Sequence, residues 1–370
     1  MRRTYVDNIR WITVVLVVIY HVIYVFNGIE SFGVIGPFAK VQYQDVFLYM
    51  VYPWFMLLLF VISGMSARFY LDNHSHKEFI KSRTRKLLVP STIGLLVFWW
   101  VLGYYNMQIG GAFESMGSFV PKPVLYLIMA VSGIGPLWYI QTLWIFSVLL
   151  ILLRKVEKDR LYLLCRKASV ILLIAFVFVI WASAQILNVP VITVYRFGIY
   201  GAGFFIGYFF FSHDEVMERL KKYWLSLTIL AIILGMIFIV VYWGSPYAGH
   251  QVLDTLLCNG FAWIATLAIL AFMKQWGNFE NVFSKWMTKK SWGLYIFHYL
   301  SLTVCAWYLS LYAPKLPIIF MYLCVGIAAF AGAFLLYEVI SRIPVLKWCV
   351  CGIGGQKNVC RKSRGTSKTS

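Results

Sequence analysis

Charged side chains are scarce in this chain. They make up 13% of its 370 residues, while hydrophobic residues make up 61% and aromatic residues 18%. A soluble domain carries about 25% charged residues. The shortage argues against a soluble globular protein, and the sequence has no polar stretch long enough for a separate soluble domain. It therefore predicts an all-α fold, a polytopic bundle of helices in a lipid bilayer.

Acidic residues are especially few. The chain has 14 aspartates and glutamates against 33 lysines and arginines, a formal net charge of +19. Such a surplus suits nucleic-acid binding, but here the bases fall in short segments between apolar runs. Every second segment carries nearly all of them, and the others hold only Lys40, Lys122 and Lys315. This asymmetry argues against a nucleic-acid partner and predicts that both termini are cytoplasmic.

Cysteines are also few, and the spacing of the seven suits neither a disulfide framework nor zinc. The pair Cys349-x-Cys351 has no second pair to complete a metal site, so we predict no metal. The tail cysteines Cys349, Cys351 and Cys360 lie beside the last apolar run, where acylation is one option. Free thiols in a reducing cytosol are the interpretation we favour.

Long apolar runs are abundant. They predict about ten transmembrane helices, at residues 11–27, 46–70, 87–105, 136–153, 169–187, 191–211, 224–243, 251–273, 291–311 and 318–340. The apolar run at 123–135 is short and bounded by prolines, so we predict an interfacial or re-entrant stretch on the outer face. A membrane domain then covers residues 1–345, and residues 346–370 form a basic, disordered cytoplasmic tail.

The first span carries three polar side chains, Asp7, Arg10 and His21. The eleven residues from Arg10 to His21 turn a helix by about three full turns plus 20°, so the three groups share one face. His21 then lies roughly 16 Å below Arg10, near the middle of the bilayer. A charge at that depth costs about 2.5–3.5 kcal/mol, which favours a functional role. A neutral histidine that hydrogen-bonds between helices is the alternative.

The pattern Asp-x-x-Arg, ten residues, then His on a first membrane helix resembles the signature of the membrane acyltransferase-3 family. In the second span, the stretch from Phe60 to Met65 is similar to the family's Phe-x-x-x-Ser-Gly. Ser63 in this stretch is one candidate nucleophile. The small residues Ser63 and Gly64 are better explained by close helix packing.

The basic segment from Phe79 to Pro90, which we predict to be a cytoplasmic loop, resembles the family's Arg-x-x-Arg before a Leu-Leu-x-Pro helix start. Arg83 matches the first arginine, whereas Lys86 replaces the second and lacks the bidentate fork of a guanidinium. The resemblance implies that Arg83, Arg85 and Lys86 bind the phosphates of coenzyme A. Ordinary positive-inside charge would explain the same residues without a ligand.

Further matches lie downstream. Leu137-Trp138-Tyr139 looks like the family's Leu-Trp-Phe, and Ser291 to His298 resembles its Ser-x-x-(Ile/Leu)-Tyr-x-x-His. These matches make Trp138, Tyr295 and His298 candidate substrate-binding residues, with helix packing as an equally good explanation of His298. His250 and Asp254 lie four residues apart and share a helix face, where they could bind an acceptor hydroxyl from outside. Solvated interfacial polarity also explains this pair.

The resemblance, which runs from Asp7 to about His298, implies a multi-pass enzyme of the cell membrane. Such an enzyme moves an acyl group, most often acetyl, from acyl-coenzyme A to a hydroxyl of a glycan. Arg10 and the cytoplasmic cations would then hold the phosphates and Asp7 would orient Arg10. His21 would act as general base or transient acyl carrier.

A transporter or flippase, of acyl groups or of a glycan precursor, is the alternative function. His21 and His298 would then line a proton or substrate path. The sequence leaves open the acceptor and the oligomeric state, a homo-oligomer included.

Overall fold

The computed structural model describes residues 3–30, 33–36, 38, 40–116, 120–189 and 194–354. The protein is 79% helical, and these residues contain no β-strand. The helices of ten or more residues are α1 (Thr4–Tyr24), α2 (Val46–Leu71), α3 (His76–Ile109), α4 (Lys122–Ser132), α5 (Leu137–Glu157), α6 (Val170–Ala184), α7 (Phe197–Phe211), α8 (Trp224–Tyr242), α9 (Leu256–Trp276), α10 (Val282–Tyr312) and α11 (Ile318–Ile340). The predicted all-α, polytopic fold class is confirmed.

Eight of these helices are long and apolar enough to cross a membrane: α1, α2, α3, α5 and α8 to α11. The remaining two predicted spans correspond to α6 and α7, which are shorter apolar helices. At about 1.5 Å per residue, the 15 residues of α6 reach only about 22 Å. The count of ten spans and the location of the termini therefore stay predictions. So does the membrane placement of α4, whose 11 residues are too few to cross a bilayer alone.

The basic segment that we predicted as a cytoplasmic loop is helical instead. It forms the first turns of α3, and an α-helix over His76–Arg83 continues into π-helical turns at Thr84–Leu88. Ser75 and Glu78 form a reciprocal capping box at the start of this helix. The Ser-x-x-Glu spacing is a known helix-start signal, which the charge pattern of the segment obscured. As a result, the basic side chains project from a regular scaffold.

The domain boundary at 345/346 stays a prediction, but the tail after it is ordered as far as residue 354. A short helix, Pro344–Cys349, follows α11, and the thiols of Cys349 and Cys351 are free and buried. The reason is that apolar residues continue to Val350, so this segment has a face to bury. Enclosure argues against lipid attachment to these two thiols, whereas Cys360 and the predicted disorder of 355–370 lie outside the described residues.

Two backbone carbonyl oxygens of this segment accept hydrogen bonds from side chains of the helical bundle. The indole Nε1 of Trp292 donates to the carbonyl oxygen of Cys351 at 3.0 Å. The guanidinium of Arg85 donates to the carbonyl oxygen of Gly354 at 2.6 Å. The segment is thereby tied to α10 and to the basic turns of α3.

Helix α2 lies at the centre of the bundle, where it packs against α1, α5, α7, α8 and α9. Its closest approach is to α7, at glycines. A Cβ on Gly64 would overlap the carbonyl oxygen of Phe204, and a Cβ on Gly207 would overlap that of Val61. The close packing predicted for the Ser63-Gly64 stretch is therefore observed. Because α7 occupies this face of α2, α1 packs against a different face.

Substituting Gly64 tests this packing. We expect Gly64→Ala to lower the free energy of unfolding by about 1–3 kcal/mol or more, because the two backbones must separate. Gly326→Ala in α11 is the matched control, since a Cβ there meets nothing within 4 Å. Thermal unfolding of the detergent-solubilised protein measures both, and equal melting temperatures for the two variants would contradict the packing.

Candidate active site

Arg10 lies near the start of α1 and is held by two partners. One of its Nη atoms is 3.1 Å from Asp7 Oδ1, and the other donates to Ser66 Oγ of α2 at 2.6 Å. The Arg10 side chain remains 39% exposed, so its charge is accessible to a ligand. Asp7 thus contacts Arg10 as the sequence suggested. Ser66 was missed, because only its spacing from Ser63 hinted at it.

Two further cations converge on Arg10. Arg83 lies within electrostatic range of Arg10 and Tyr139, and Lys86 lies within range of both arginines. We call Arg10, Arg83 and Lys86 the inner cation cluster. Arg85, the third predicted phosphate ligand, has its guanidinium on the backbone of the C-terminal segment instead.

A polar cavity of about 170 Å³ lies beside this cluster, between the N-terminal ends of α1 and α10. It is lined by Thr4, Asp7, Asn8, Glu280, Ser284, Lys285, Thr288 and Lys289. The same two helices carry the histidines of the site further along the bundle.

His21 and His298 meet between α1 and α10. His21 Nδ1 lies 3.2 Å from His298 Nε2, and the ring centroids are 5.1 Å apart. His298 is completely buried and His21 is half-buried. Both imidazoles therefore face the interior of the bundle, not lipid. His21 is seventeen positions from the first residue of α1 and three from the last, so it lies near the C-terminal end of this helix.

Hydrogen-bond partners assign the protons of the pair. His298 Nδ1 lies 3.1 Å from the carbonyl oxygen of Leu294 and 2.7 Å from that of Tyr295. Carbonyl oxygens only accept, so in the neutral ring Nδ1 carries the hydrogen and Nε2 is an acceptor. The single hydrogen on His21 Nδ1 is then shared between the carbonyl oxygen of Val17, which is 2.8 Å away, and His298 Nε2, which is 3.2 Å away. The lone pair of His21 is consequently on Nε2.

Among the described residues, His21 Nε2 is the ring nitrogen of His21 that is left without a hydrogen-bond partner. Within the described part of the chain, no group hydrogen-bonds to it, and it is not among the polar atoms that are enclosed without a partner. An accessible imidazole lone pair can take a proton from a hydroxyl or attack a carbonyl carbon.

The other candidates on α2, α5 and α10 pack against one another. The Tyr295 hydroxyl donates to the carbonyl oxygen of Pro136 at 2.6 Å, and its ring packs on Tyr139. The Tyr139 hydroxyl lies 2.8 Å from Ser63 Oγ, an interaction that supports a structural role for this serine. The Trp138 ring packs among neighbouring aromatic rings and is half-buried.

His250 and Asp254 form a separate cluster with Arg196. His250 Nδ1 is 3.5 Å from Asp254 Oδ2, and a guanidinium nitrogen of Arg196 is 3.8 Å from Asp254 Oδ1. Arg196 is buried and also donates to the carbonyl oxygen of Leu253. These contacts join the start of α7 to the start of α9, and the structure does not bring the pair to His21.

Comparison with known proteins gives one match. A family model described as an acyltransferase domain matches residues 3–338 of this chain. No curated protein and no solved structure matches it. The match covers α1 to α10 and nearly all of α11, and therefore both histidines and the inner cation cluster. On this evidence, the chain belongs to the acyltransferase-3 family of membrane acyltransferases.

Proposed function

We propose that this membrane acyltransferase moves an acyl group, acetyl in the simplest case, from acyl-coenzyme A to a hydroxyl of a cell-envelope or exported glycan, at the cell membrane. The observation that carries the proposal is the open Nε2 lone pair of His21, on a ring held at Nδ1 by His298 and Val17. Family membership supports acyl transfer as the reaction.

The inner cation cluster is proposed to bind the donor. The phosphates of coenzyme A are multiply charged, and guanidinium groups form strong, directional hydrogen bonds with phosphate oxygens. Arg10 and His21 lie on one continuous helix, about 16 Å apart along its axis. The extended pantetheine arm can cover that distance, which would bring the thioester to the imidazole.

His21 is proposed to act as the general base. Its Nε2 takes the proton from the acceptor hydroxyl while the hydroxyl oxygen forms a bond to the thioester carbon. The carbon–sulfur bond then breaks, and the departing thiolate takes that proton from the imidazolium. Throughout, Nδ1–H keeps its hydrogen bonds to His298 Nε2 and to the Val17 carbonyl oxygen. A transient acyl group on Nε2 would use the same atom.

Purified protein with labelled acetyl-coenzyme A tests this function. The acceptor is polysaccharide prepared from cells that lack the protein. We expect free coenzyme A thiol to appear together with O-acetyl groups on the polysaccharide, detected by NMR. A thioester that stays intact, while label crosses the membrane of proteoliposomes, would favour the transporter instead.

The two arginines of α3 provide a matched pair of variants. We expect Arg83→Gln to raise the KM for acetyl-coenzyme A about 10- to 150-fold, because one charged phosphate contact contributes about 1.5–3 kcal/mol. Arg85→Gln removes the same charge from a side chain that contacts Gly354, so its KM should change much less. Equal increases in KM for both variants would show that general positive charge suffices.

A further inference from the structure

A group of tyrosines extends from His21 toward the C-terminal end of α1. Tyr20 stacks on Tyr24 and on Tyr52, with ring centroids 5.7 Å apart in each pair. Tyr247 packs on Tyr52 at 5.2 Å, and Tyr299 packs edge-on against His21 at 5.0 Å. We call these residues the outer tyrosine cluster: Tyr20, Tyr24, Tyr52, Tyr247 and Tyr299.

Glu30 lies at the far end of this cluster. Its Oε1 accepts a hydrogen bond from the backbone N–H of Ala248 at 3.0 Å. The carboxyl group is within electrostatic range of Tyr24, Tyr52 and Tyr247. Burial raises the pKa of the Glu30 carboxyl. A hydrogen-bonding carboxyl group is therefore fixed beside a wall of aromatic rings.

Part of the cluster is accessible. Tyr20 and Tyr247 are buried, but Tyr24, Tyr52 and Tyr299 are half-buried although other aromatic rings surround them. Tyr24 is within electrostatic range of both Tyr52 and Tyr299, so the three rings border one region between α1, α2 and α10. His21 contacts the rings of Tyr20 and Tyr299 at the inner end of this region.

We infer that the outer tyrosine cluster and Glu30 bind a sugar ring of the acceptor and present its hydroxyl to His21 Nε2; this rests on the proposed function. A sugar ring has apolar faces that pack on aromatic rings, and hydroxyls that carboxylate and phenol groups can hydrogen-bond. The two stacked pairs are tilted by 28° and 29°, and the accessible parts of Tyr24 and Tyr52 offer apolar ring surface next to a phenol hydroxyl. A neutral ring that carries hydroxyls can use both features, whereas a compact cation is bound by the ring faces that surround it in an aromatic cage.

Thiol labelling tests access without any enzymatic activity. Tyr52→Cys and Tyr299→Cys are made one at a time, and intact cells are treated with a membrane-impermeant sulfonated maleimide. Tyr312→Cys, at the end of the same helix as Tyr299 and 81% exposed, is the positive control, and the wild-type protein measures reaction of the native thiols. We expect both cluster variants to be labelled from outside.

Protection of the introduced cysteines from maleimide labelling tests which ligand the cluster binds. The probes are the methyl glycosides of glucose, galactose and N-acetylglucosamine, with choline as the cationic probe. We expect at least one glycoside to slow labelling of Tyr52→Cys and Tyr299→Cys several-fold and to leave Tyr312→Cys unaffected. Adding Glu30→Gln to the Tyr299→Cys variant should raise the glycoside concentration needed, whereas Glu114→Gln, an exposed acidic side chain elsewhere, should not.

Three results would overturn the inference: labelling of Tyr312→Cys alone, labelling that no glycoside slows, or protection by choline alone. Size-exclusion profiles that match the wild type establish that each variant is folded. The outcome is independent of the thioester assay. A protein that is protected by glycosides but releases no coenzyme A would refute the proposed function and keep the sugar site.

Discussion

Replacing His21 by alanine is expected to lower kcat/KM for acyl transfer by about 10²- to 10⁴-fold, the range that a general base contributes. The substitution removes the Nε2 lone pair and leaves the inner cation cluster in place, so binding of acetyl-coenzyme A should persist. The rate of coenzyme A release by purified protein measures the first effect, and the KM for acetyl-coenzyme A measures the second.

His21→Gln separates chemistry from packing. A glutamine amide can donate a hydrogen bond to His298 Nε2 as His21 Nδ1 does, but it has no basic lone pair. We expect this variant to be as inactive as His21→Ala and to keep a wild-type melting temperature. His74→Ala, which changes an exposed histidine, should keep full activity. Substantial transfer by His21→Gln would reduce His21 to a packing residue.

His298 is expected to act through His21, as a positioning residue. His298→Leu removes one of the two acceptors for His21 Nδ1–H at similar volume and leaves the Val17 carbonyl oxygen, and we expect kcat to fall about 10- to 100-fold with little change in the KM for acetyl-coenzyme A. Orientation of a catalytic imidazole by a hydrogen-bonded partner follows the logic of the serine protease triad.

His298→Gln provides the rescue. Its amide oxygen can accept the hydrogen bond that His298 Nε2 accepts, so we expect this variant to recover much of the kcat lost in His298→Leu. Steady-state kinetics on both variants, with melting temperatures, checks this. If glutamine and leucine lower kcat equally while both proteins fold, the hydrogen bond between the two rings has no catalytic role.

Part of this site follows from the sequence. Helix periodicity places Asp7 and Arg10 on one face, and the structure joins them at 3.1 Å. The contact between His21 and His298 joins residues 277 positions apart, and periodicity alone cannot set the rotation of one helix against another. The first span, predicted at residues 11–27, is a helix from Thr4 to Tyr24, so the prediction missed two initial turns and extended three residues too far.

The basic residues of α3 show another limit of prediction from the sequence. Arg83, Arg85 and Lys86 are equivalent by charge, and the sequence offered all three as phosphate ligands. Arg85 lies in the π-helical turns at Thr84–Leu88 and donates to the carbonyl oxygen of Gly354 in the C-terminal segment, although it stays within electrostatic range of Lys86. Neither feature is visible in charge patterning, because each depends on contacts between distant parts of the chain.

Proteoliposomes with the protein in one orientation test directly whether acyl transfer across the bilayer depends on His21. Labelled acetyl-coenzyme A is supplied on the side of the N-terminal end of α1, and acceptor polysaccharide on the opposite side. We expect coenzyme A to be released on the first side and labelled O-acetyl esters to form on the second, and we expect His21→Ala to abolish both. Ester formation that survives His21→Ala, or label that crosses without release of coenzyme A, would contradict it.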